Sequence, residues 1–384
     1  MILRNKNTII INEAKLQIYN DDSIYKDQGG NIMKKLLAAL LAAIMVLGLA
    51  ACGPTQTGID TENLEIHDEV TGKVVIYTSM YQDIIEALQV TLDKVFPNCE
   101  IEFFQGGTGT IQSKVTTELE SGKLGCDILM VAEPSYALEL KEMGILHAYN
   151  SPEAKSLAFD YDPDGCWYPV RISNMVLAYN PDMFSKEEVA QSLYDFAYDE
   201  SLKGMISMSN PLTSGTALAS AVALSQEYGY EYFDALSKQE VMVESGSVAL
   251  TKLETGECKE VMILEESVLK KREEEQSKIE CIYPTDGTIV CPSPIMTIND
   301  DMSANANSKA CEVITDWFLS EVGQSAIVKG WMHSVRSDYP EPPYDAIPTK
   351  DITANTMPID WDFCYKNRSE VRTAFEERVK MPEG

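Results

Sequence analysis

Residues 103–136, FFQGGTGTIQSKVTTELESGKLGCDILMVAEPSY, contain the end of one predicted strand, a glycine-rich loop, a helix and a second strand. The run CEIEFFQ at 99–105 predicts the first strand, and CDILMVA at 126–132 predicts the second. Between them, Ile111, Val115 and Leu119 fall on one face of a helix over 111–122. A helix that connects two short strands favours a parallel pair, since parallel strands need a crossover connection. The stretch therefore predicts an α/β fold.

The same alternation continues along the chain. Apolar, β-rich runs predict further strands at 73–79, 173–180, 204–210, within 257–267, at 279–284 and at 288–299. Helical spacing predicts helices at 83–96, 134–144, 215–229, 268–278 and 309–330, with a last helix near 373–380. Such alternation predicts sheets with helices on both faces. A chain of 384 residues is long enough to divide into two lobes.

The loop FQGGTGT has the composition of an anion-binding turn. It follows a strand and opens a helix, where unpaired backbone N–H groups meet the positive end of the helix dipole. Thr108, Gly109 and Thr110 are the candidate ligand-binding residues. A phosphate loop of nucleotide triphosphatases would need a lysine after its last glycine, but Ile111 follows Thr110. The alternative interpretation is an ordinary capped helix start.

A second loop repeats this pattern. NPLTSGTALAS at 210–220 leads from a predicted strand through Ser214, Gly215 and Thr216 into a helix. Ser79 ends the first predicted strand in the same way. Open α/β sheets bind ligands beyond the carboxyl ends of their strands. We therefore expect these loops to face a common cleft.

The N-terminus has the features of an export signal. Two lysines precede twelve apolar residues at 36–47, and small residues follow, ending at Cys52. This run is too short to span a membrane and is typical of a secretory signal. We expect residues 1–32 to be an upstream extension, 33–51 the signal peptide and 52–71 a polar tether. The sequence LAAC at 49–52 resembles the lipobox of bacterial lipoproteins, which implies a lipid anchor on Cys52.

Composition excludes several function classes. The formal net charge of −29 argues against nucleic acid, because phosphates require clustered Lys and Arg. Only three histidines occur, and the cysteines form no C-x-x-C motif, so we expect no metal cluster and no cofactor. The motifs G-x-S-x-G and H-E-x-x-H are absent, which argues against an enzyme. Disulfides and buried thiols both remain open for the eight cysteines after Cys52.

Seven segments in order resemble one family across most of residues 73–340. They include KVVIYTSMYQDIIEALQVTLDK, the stretch at 103–136, NPLTSGTALAS and VESGSVALTKLETGE. The chain resembles the extracellular solute-binding proteins of ABC importers, in the group that binds ferric iron, aminoethylphosphonate or sugar phosphates. That resemblance implies a two-lobed type II periplasmic-binding-protein fold, with mixed sheets, flanking helices and two crossing strands as a hinge near 170–176 and 288–296. It implies a first lobe of 72–170 plus 294–384 and a second lobe of 171–293.

The resemblance also bears on the ligand. Iron-binding members place a His soon after the first strand and a tyrosine pair in the second lobe. This chain has Tyr81 at the first position and Glu265–Glu266 at the second. Those exchanges favour a small anionic solute, namely a phosphonate, an aminophosphonate or a phosphorylated compound, and Glu265 or Glu266 could meet a ligand amine. Glu133 is a further cleft candidate. A solvated face is the alternative for the glutamate pair, and ferric iron is the alternative ligand.

The resemblance implies a binding module rather than an enzyme. It would act as a monomer outside the cell, lipid-anchored to the outer face of the bacterial membrane. Lobe closure would capture the solute for delivery to an ABC permease. A sensor subunit that presents its ligand to a membrane histidine kinase is the alternative.

Overall fold

The computed structural model describes residues 64–379. The predictions for the upstream extension, the signal peptide, Cys52 and most of the tether lie outside the described residues. Among the helices of 64–379, none has the length and apolar character needed to cross a membrane.

Nine strands form one mixed sheet within the described residues. They are β1 (Gly72–Thr78), β2 (Cys99–Gln105), β3 (Ile128–Met130), β4 (Tyr168–Tyr179), β5 (Ile206–Ser209), β6 (Met242–Glu244), β7 (Glu260–Leu264), β8 (Glu280–Ile282) and β9 (Ile289–Thr297). The strand order is β2-β1-β3-β9-β4-β7-β5-β6, and β8 also pairs with β4. The pairs among β1, β2 and β3 and among β5, β6 and β7 are parallel. The predicted parallel units are therefore present.

Twelve α-helices accompany these strands in the described part of the chain. They are α1 (Gln82–Val95), α2 (Thr108–Glu120), α3 (Ser135–Glu142), α4 (Leu193–Tyr198), α5 (Gly215–Tyr228), α6 (Glu231–Lys238), α7 (Gly246–Thr255), α8 (Glu265–Glu275), α9 (Ser308–Leu319), α10 (Glu321–Lys329), α11 (Thr349–Thr353) and α12 (Trp361–Arg378). Short 3₁₀ turns occur at Pro152–Ser156, Lys186–Glu188 and Glu200–Leu202.

Strands β4 and β9 connect the two parallel groups. The first part of β4 pairs antiparallel with β9, and its last residues pair with β7 and β8. The end of β9 pairs with β3. All twelve positions of β4 are buried, as expected for a strand that is covered on both faces. The predicted two-lobed α/β fold with two crossing strands is confirmed.

Each parallel group has an apolar cluster on both faces. In the first lobe, one cluster joins the β1–β3 sheet to α1, α9 and α10, and the other joins it to α2 and α3. In the second lobe, α4, α5 and α6 cover one face and α7 and α8 cover the other. These layers hold the strand ends of each lobe in fixed positions.

The terminal helix packs with the second lobe. Cys364, Val371, Ala374 and Phe375 of α12 belong to the apolar cluster formed by α4, α5 and α6. We expected residues 294–384 to belong entirely to the first lobe, and this packing argues for assigning α12 to the second. The lobe boundaries otherwise stay a prediction.

The single helix expected at 309–330 is two helices. The break occurs at Ser320, whose hydroxyl accepts from the Gly323 N–H at 3.2 Å and caps α10. Serine favours such a cap over a helix interior, because its hydroxyl competes for backbone groups. Gly323 also packs so closely that an added Cβ would lie 1.9 Å from the Trp317 carbonyl oxygen. The expected continuous helix is therefore wrong.

A buried carboxyl at the start of β7 links this strand to the segment before α4. Glu260 is fully buried, and its Oε2 accepts from the Ala190 N–H at 2.9 Å. Its Oε1 has no partner among the described residues. Burial raises the pKa of Glu260 to about 8, and the Ala190 N–H opposes the shift only in part. The native state therefore binds a proton more tightly than the unfolded chain does.

Replacing Glu260 by glutamine should remove a pH-dependent loss of stability. Because the native pKa lies above the usual value, wild-type stability falls as pH rises from about 4.5 to about 8. We expect the melting temperature of Glu260→Gln to exceed that of the wild type by about 3 °C or more at pH 8 and to converge with it near pH 4.5. Glu257→Gln, at an exposed neighbouring position, is the control. Parallel melting curves for Glu260→Gln and the wild type across this range would contradict the assignment.

Candidate functional site

A cavity of about 330 Å³ lies where the strand ends of the two lobes meet. Its walls come from the carboxyl ends of β1, β2, β3, β5, β6 and β7 and from the crossing strand β4. Open α/β sheets place ligand sites at such ends, because the loops that follow the strands are free to vary. Of the candidate residues, Ser79, Tyr81, Thr108, Thr110, Ser214, Gly215, Thr216 and Glu266 line this cavity.

The first predicted loop contributes the start of α2. Its first helical hydrogen bond runs from the Ile111 N–H to the Gly107 carbonyl oxygen at 3.0 Å, so the amides before Ile111 precede the helical ladder. Thr108 Oγ1 accepts from the Ala132 N–H at 3.2 Å, which ties this loop to the end of β3. Thr108 therefore contributes to the cavity wall its backbone and a hydroxyl group that already accepts a hydrogen bond from Ala132.

The second predicted loop contributes the start of α5. Ser214 Oγ accepts from the Ala217 N–H at 3.3 Å and caps the helix. Thr216 Oγ1 lies 3.2 Å from Ser214 Oγ. The first helical bond is donated by Leu218, so the amides of Gly215 and Thr216 precede it. These donors are available to an acceptor in the cavity.

The two loops touch each other. The Gly109 N–H donates to the Thr213 carbonyl oxygen at 3.3 Å. A Cβ added at Gly215 would lie 2.6 Å from Thr108 Oγ1. Glycine is required there because no side chain fits between the loops. We expected Gly109 to bind the ligand. It is not among the described residues that line the cavity, and its N–H instead contacts the loop of the other lobe.

A third loop of the same kind was not predicted. Ser245 and Gly246 line the cavity at the start of α7. Ser245 Oγ accepts from the Val248 N–H at 3.4 Å, as Ser214 does in α5. The segment VESGSVAL entered the sequence interpretation only through the family resemblance. Its Ser–Gly–Ser pattern between a short strand and a helix is the signal that would have identified it.

Several helix starts surround the cavity, whose lining also includes the carboxyl groups of Glu244 and Glu266. Tyr81 and Leu264 cap α1 and α8, so five helices of the described chain begin at its wall. Each helix start carries a partial positive charge of roughly half a unit. Together with the free amides, this creates a local environment that favours a negative ligand despite the net charge of −29.

Arg171 adds a cation that sequence reasoning missed. It lines the cavity but is only 2% exposed, and its Nη2 donates to Ser79 Oγ at 3.1 Å. Its Nε has no partner among the described residues. An extra residue in β4 between Pro169 and Arg171 shifts the strand register, and such bulges redirect side chains. The hydrophobic pattern of β4 gave no signal for this role.

Glu266 faces Arg171 across the cavity wall. Its Oε1 lies 3.6 Å from Arg171 Nη1, and its Oε2 accepts from Ser173 Oγ at 3.4 Å. Burial raises the pKa of Glu266, and the Arg171 guanidinium opposes that shift. The alternative prediction, that Glu266 lies on a solvent-exposed helix face, is wrong, since Glu266 is only 4% exposed.

Tyr81 lies beside this pair. Its hydroxyl is 2.9 Å from Ser267 Oγ. Burial, followed by the nearby charge of Glu266, raises the pKa of Tyr81 to about 12. The phenol is therefore protonated at neutral pH.

Glu265 points to a different network. It is buried, its Oε2 lies 2.9 Å from His333 Nε2, and the same oxygen accepts from Asn174 Nδ2 at 2.7 Å. Tyr283 donates to its other oxygen. Because these partners use both carboxylate oxygens, Glu265 holds the hinge region together and does not line the cavity.

Glu133 is also outside the cavity. It is fully buried behind the end of β3, where its Oε2 accepts from the Ser135 N–H at 2.7 Å. Burial raises its pKa to about 7, although Arg368 and Arg372 favour the ionised form. Glu133 therefore lies between the start of α3, which holds Ser135, and the arginines of α12.

The remaining reactive groups do not form a second site. The eight cysteines of the described chain are free thiols. No group of three or more His, Cys, Asp or Glu suited to a metal ion occurs within residues 64–379. The unpaired polar groups of the cavity therefore define the candidate site.

Solved structures share this architecture. The periplasmic binding protein P5PA superposes with a TM-score of 0.66 at 18% identity, over 80% of this chain and 100% of that one. Iron-bound HitA from Pseudomonas aeruginosa superposes with a TM-score of 0.69 at 19% identity, over 80% of this chain and 99% of that one. AfuA from Actinobacillus pleuropneumoniae, with exogenous fructose-6-phosphate bound, superposes with a TM-score of 0.68 at 22% identity, over 80% of this chain and 98% of that one. At these identities the likeness shows the fold.

No curated protein matches the sequence. The family described as bacterial extracellular solute-binding protein matches residues 126–367, which is more than half of the 384-residue chain and includes the loops of α5, α7 and α8. With its two lobes and the cavity between their strand ends, the chain belongs to the bacterial extracellular solute-binding protein family.

Proposed function

We propose that this protein is the substrate-binding component of an ABC importer and captures a small anionic solute in the cavity between its lobes. The observation that carries the proposal is the convergence of five helix starts and the buried Arg171 on one cavity. Helix N-termini bind phosphate-like groups through free amides and the helix dipole. The ligand is therefore a phosphonate, an aminophosphonate or a phosphorylated compound.

Different groups of the cavity wall would contact the anionic group and the amine of the ligand. The amides of Gly215 and Thr216 and the guanidinium of Arg171 would hold the phosphonate or phosphate oxygens. Glu266 would meet a ligand amine, which it can approach as a carboxylate next to Arg171. A volume of about 330 Å³ is at the small end of ordinary ligand sites, which suits a compact solute.

Lobe closure is the proposed capture mechanism. Thr108 and Gly215 approach closely only when the two lobes meet, so a ligand that contacts both loops stabilises the closed arrangement. The net negative charge opposes long-range attraction of an anion, but buried donors act at short range where salt screens little. The affinity then depends on the closed cavity.

The family supports the proposed extracytoplasmic location and the permease, whereas the lipid anchor rests on the LAAC sequence at 49–52. We propose that the protein acts outside the cytoplasm as a monomer, is anchored to the membrane by lipid on Cys52, and delivers its solute to a permease. Among its structural neighbours, AfuA is described with a sugar phosphate and HitA with iron. The pair Glu265–Glu266 stands where the resemblance places the tyrosine pair of iron-binding members, and Glu265 does not line the cavity, which favours the anion over iron here.

A ligand panel tests the function directly. We expect 2-aminoethylphosphonate or a sugar phosphate to raise the melting temperature, since a ligand at 100 times its dissociation constant stabilises by about 2.7 kcal/mol. Ethanolamine and a neutral sugar are the controls and should have no effect. A rise with ferric citrate alone would assign the protein to iron, and no rise with any anion would reject the proposal.

Gly215→Ala should weaken binding without unfolding the protein. The added methyl group would lie 2.8 Å from Thr108 Cβ, so the two loops must separate. An overpacking cost of about 1–3 kcal/mol corresponds to a loss of about five- to 150-fold in affinity, which calorimetric titration would measure.

Gly246→Ala is the matched control for Gly215→Ala. Gly246 also begins a helix at the cavity wall, but an added Cβ there would meet its nearest atom at 3.8 Å, an ordinary contact. We expect its affinity to stay within about twofold of the wild type. Equal losses in both variants would show that the approach of the two loops is unimportant for binding.

A further inference from the structure

The last helix, α12, contacts the two lobes through chemically different faces. Its buried side chains pack in the apolar cluster of the second lobe, where the Phe375 and Phe233 rings meet edge-to-face at 5.2 Å. Among the described residues, no α12 side chain belongs to either apolar cluster of the first lobe. Burial of apolar side chains therefore anchors α12 to the second lobe only.

Towards the first lobe, α12 presents polar side chains. The Tyr365 hydroxyl donates to Glu142 Oε2 at 2.7 Å, and Arg368 pairs with Glu139. The Arg368 guanidinium also lies over the Tyr136 ring at 5.7 Å. All three partners are on α3, so this helix face is held to the first lobe by one salt bridge, one hydrogen bond and a cation–π contact.

Arg372 extends these contacts to the edge of the cavity. Its Nε donates to the Pro211 carbonyl oxygen at 3.3 Å, in the loop before α5, and its Nη2 donates to Gln112 Oε1 at 3.4 Å, on α2. One side chain therefore contacts the α5 loop and helix α2, which meet at Gly215. The position of α12 is coupled to the position of these loops.

The interface between α12 and the first lobe is incompletely paired. Four buried polar atoms here lack partners in the described structure: Arg368 Nη1, Gln112 Nε2, Glu133 Oε1 and Ser135 Oγ. A buried polar group without a partner costs about 1–3 kcal/mol relative to its hydrated state. Separation of the lobes would return these atoms to water. The unpaired atoms oppose closure, whereas the Arg368–Glu139 pair favours it.

We infer that α12 is a clasp that sets the free energy of lobe closure, with Arg368 as its positioning residue. This inference rests on the proposed function, because closure matters only if a solute is captured. Arg368 touches neither the cavity nor a ligand in it. It acts by changing the fraction of molecules in the closed arrangement, and the apparent affinity falls in proportion to that fraction.

Arg368→Met tests the clasp, and Arg378→Met is its matched control. Arg378 lies on the same helix, over the Tyr230 ring at 5.3 Å and 3.6 Å from Asp234 Oδ1, but its partners are all in the second lobe. Both variants remove one charge from one ion pair. Arg368→Met also removes the cation–π contacts with Tyr136 and Tyr365, and Arg378→Met removes the one with Tyr230. Only Arg368→Met breaks a contact between lobes.

We expect Arg368→Met to weaken binding of 2-aminoethylphosphonate about three- to tenfold, with Arg378→Met within twofold of the wild type. Glu139→Lys combined with Arg368→Glu restores the pair with reversed signs and should recover most of the affinity. Tyr365→Phe should give a smaller loss in the same direction and replaces Arg368→Met if that variant does not fold. Equal losses at Arg368 and Arg378, or no loss at Arg368, would overturn the inference.

Small-angle scattering separates failure of the clasp from failure of the proposed function. Without ligand, we expect Arg368→Met to have a larger radius of gyration than Arg378→Met, because the lobes separate more often. This result would support the clasp even if no anion in the panel binds. Identical radii for the two ligand-free variants would overturn it, even if an anion does bind.

Discussion

The site depends on the close approach of two helix starts at Gly215. The α5 loop reaches the α2 loop there with no room for a side chain, and the Gly109 N–H completes the contact with the Thr213 carbonyl oxygen. This contact brings the positive ends of helices from both lobes to one small cavity. Without it, each loop would be an ordinary capped helix start facing water, where the dipole is screened.

The buried charges are arranged around this contact so that none is isolated. Arg171 faces Glu266 and Ser79, and Glu265 is held by His333, Asn174 and Tyr283. A buried ion is costly unless it is paired and hydrogen-bonded. Of these hinge groups, Arg171 and Glu266 line the cavity, so a ligand can contact this pair. Glu244, at the end of β6, also lines the cavity, and its Oε2 has no partner among the described residues.

Local patterns in the sequence predicted eight of the nine described strands and two of the three Ser/Thr–Gly loops, whereas the crossing role of β4 and β9 came from the family resemblance. The run at 99–105 and the helix from 215 are present almost as expected because their periodicity and caps are local signals. Arg171, the separation of Glu265 from Glu266 and the packing of α12 were not predictable, since they depend on a strand bulge and on partners more than 60 residues away. Neighbouring glutamates on one helix turn face different surroundings, and no local pattern distinguishes them.

The central claim is that one anion is held at the same time by helix starts of both lobes. Titration with 2-aminoethylphosphonate, followed by heteronuclear NMR of the backbone amides, tests it most directly. We predict that the amides of Thr108, Gly215 and Gly246 shift together and yield one dissociation constant. Shifts confined to one lobe, or different constants for the two lobes, would contradict the account.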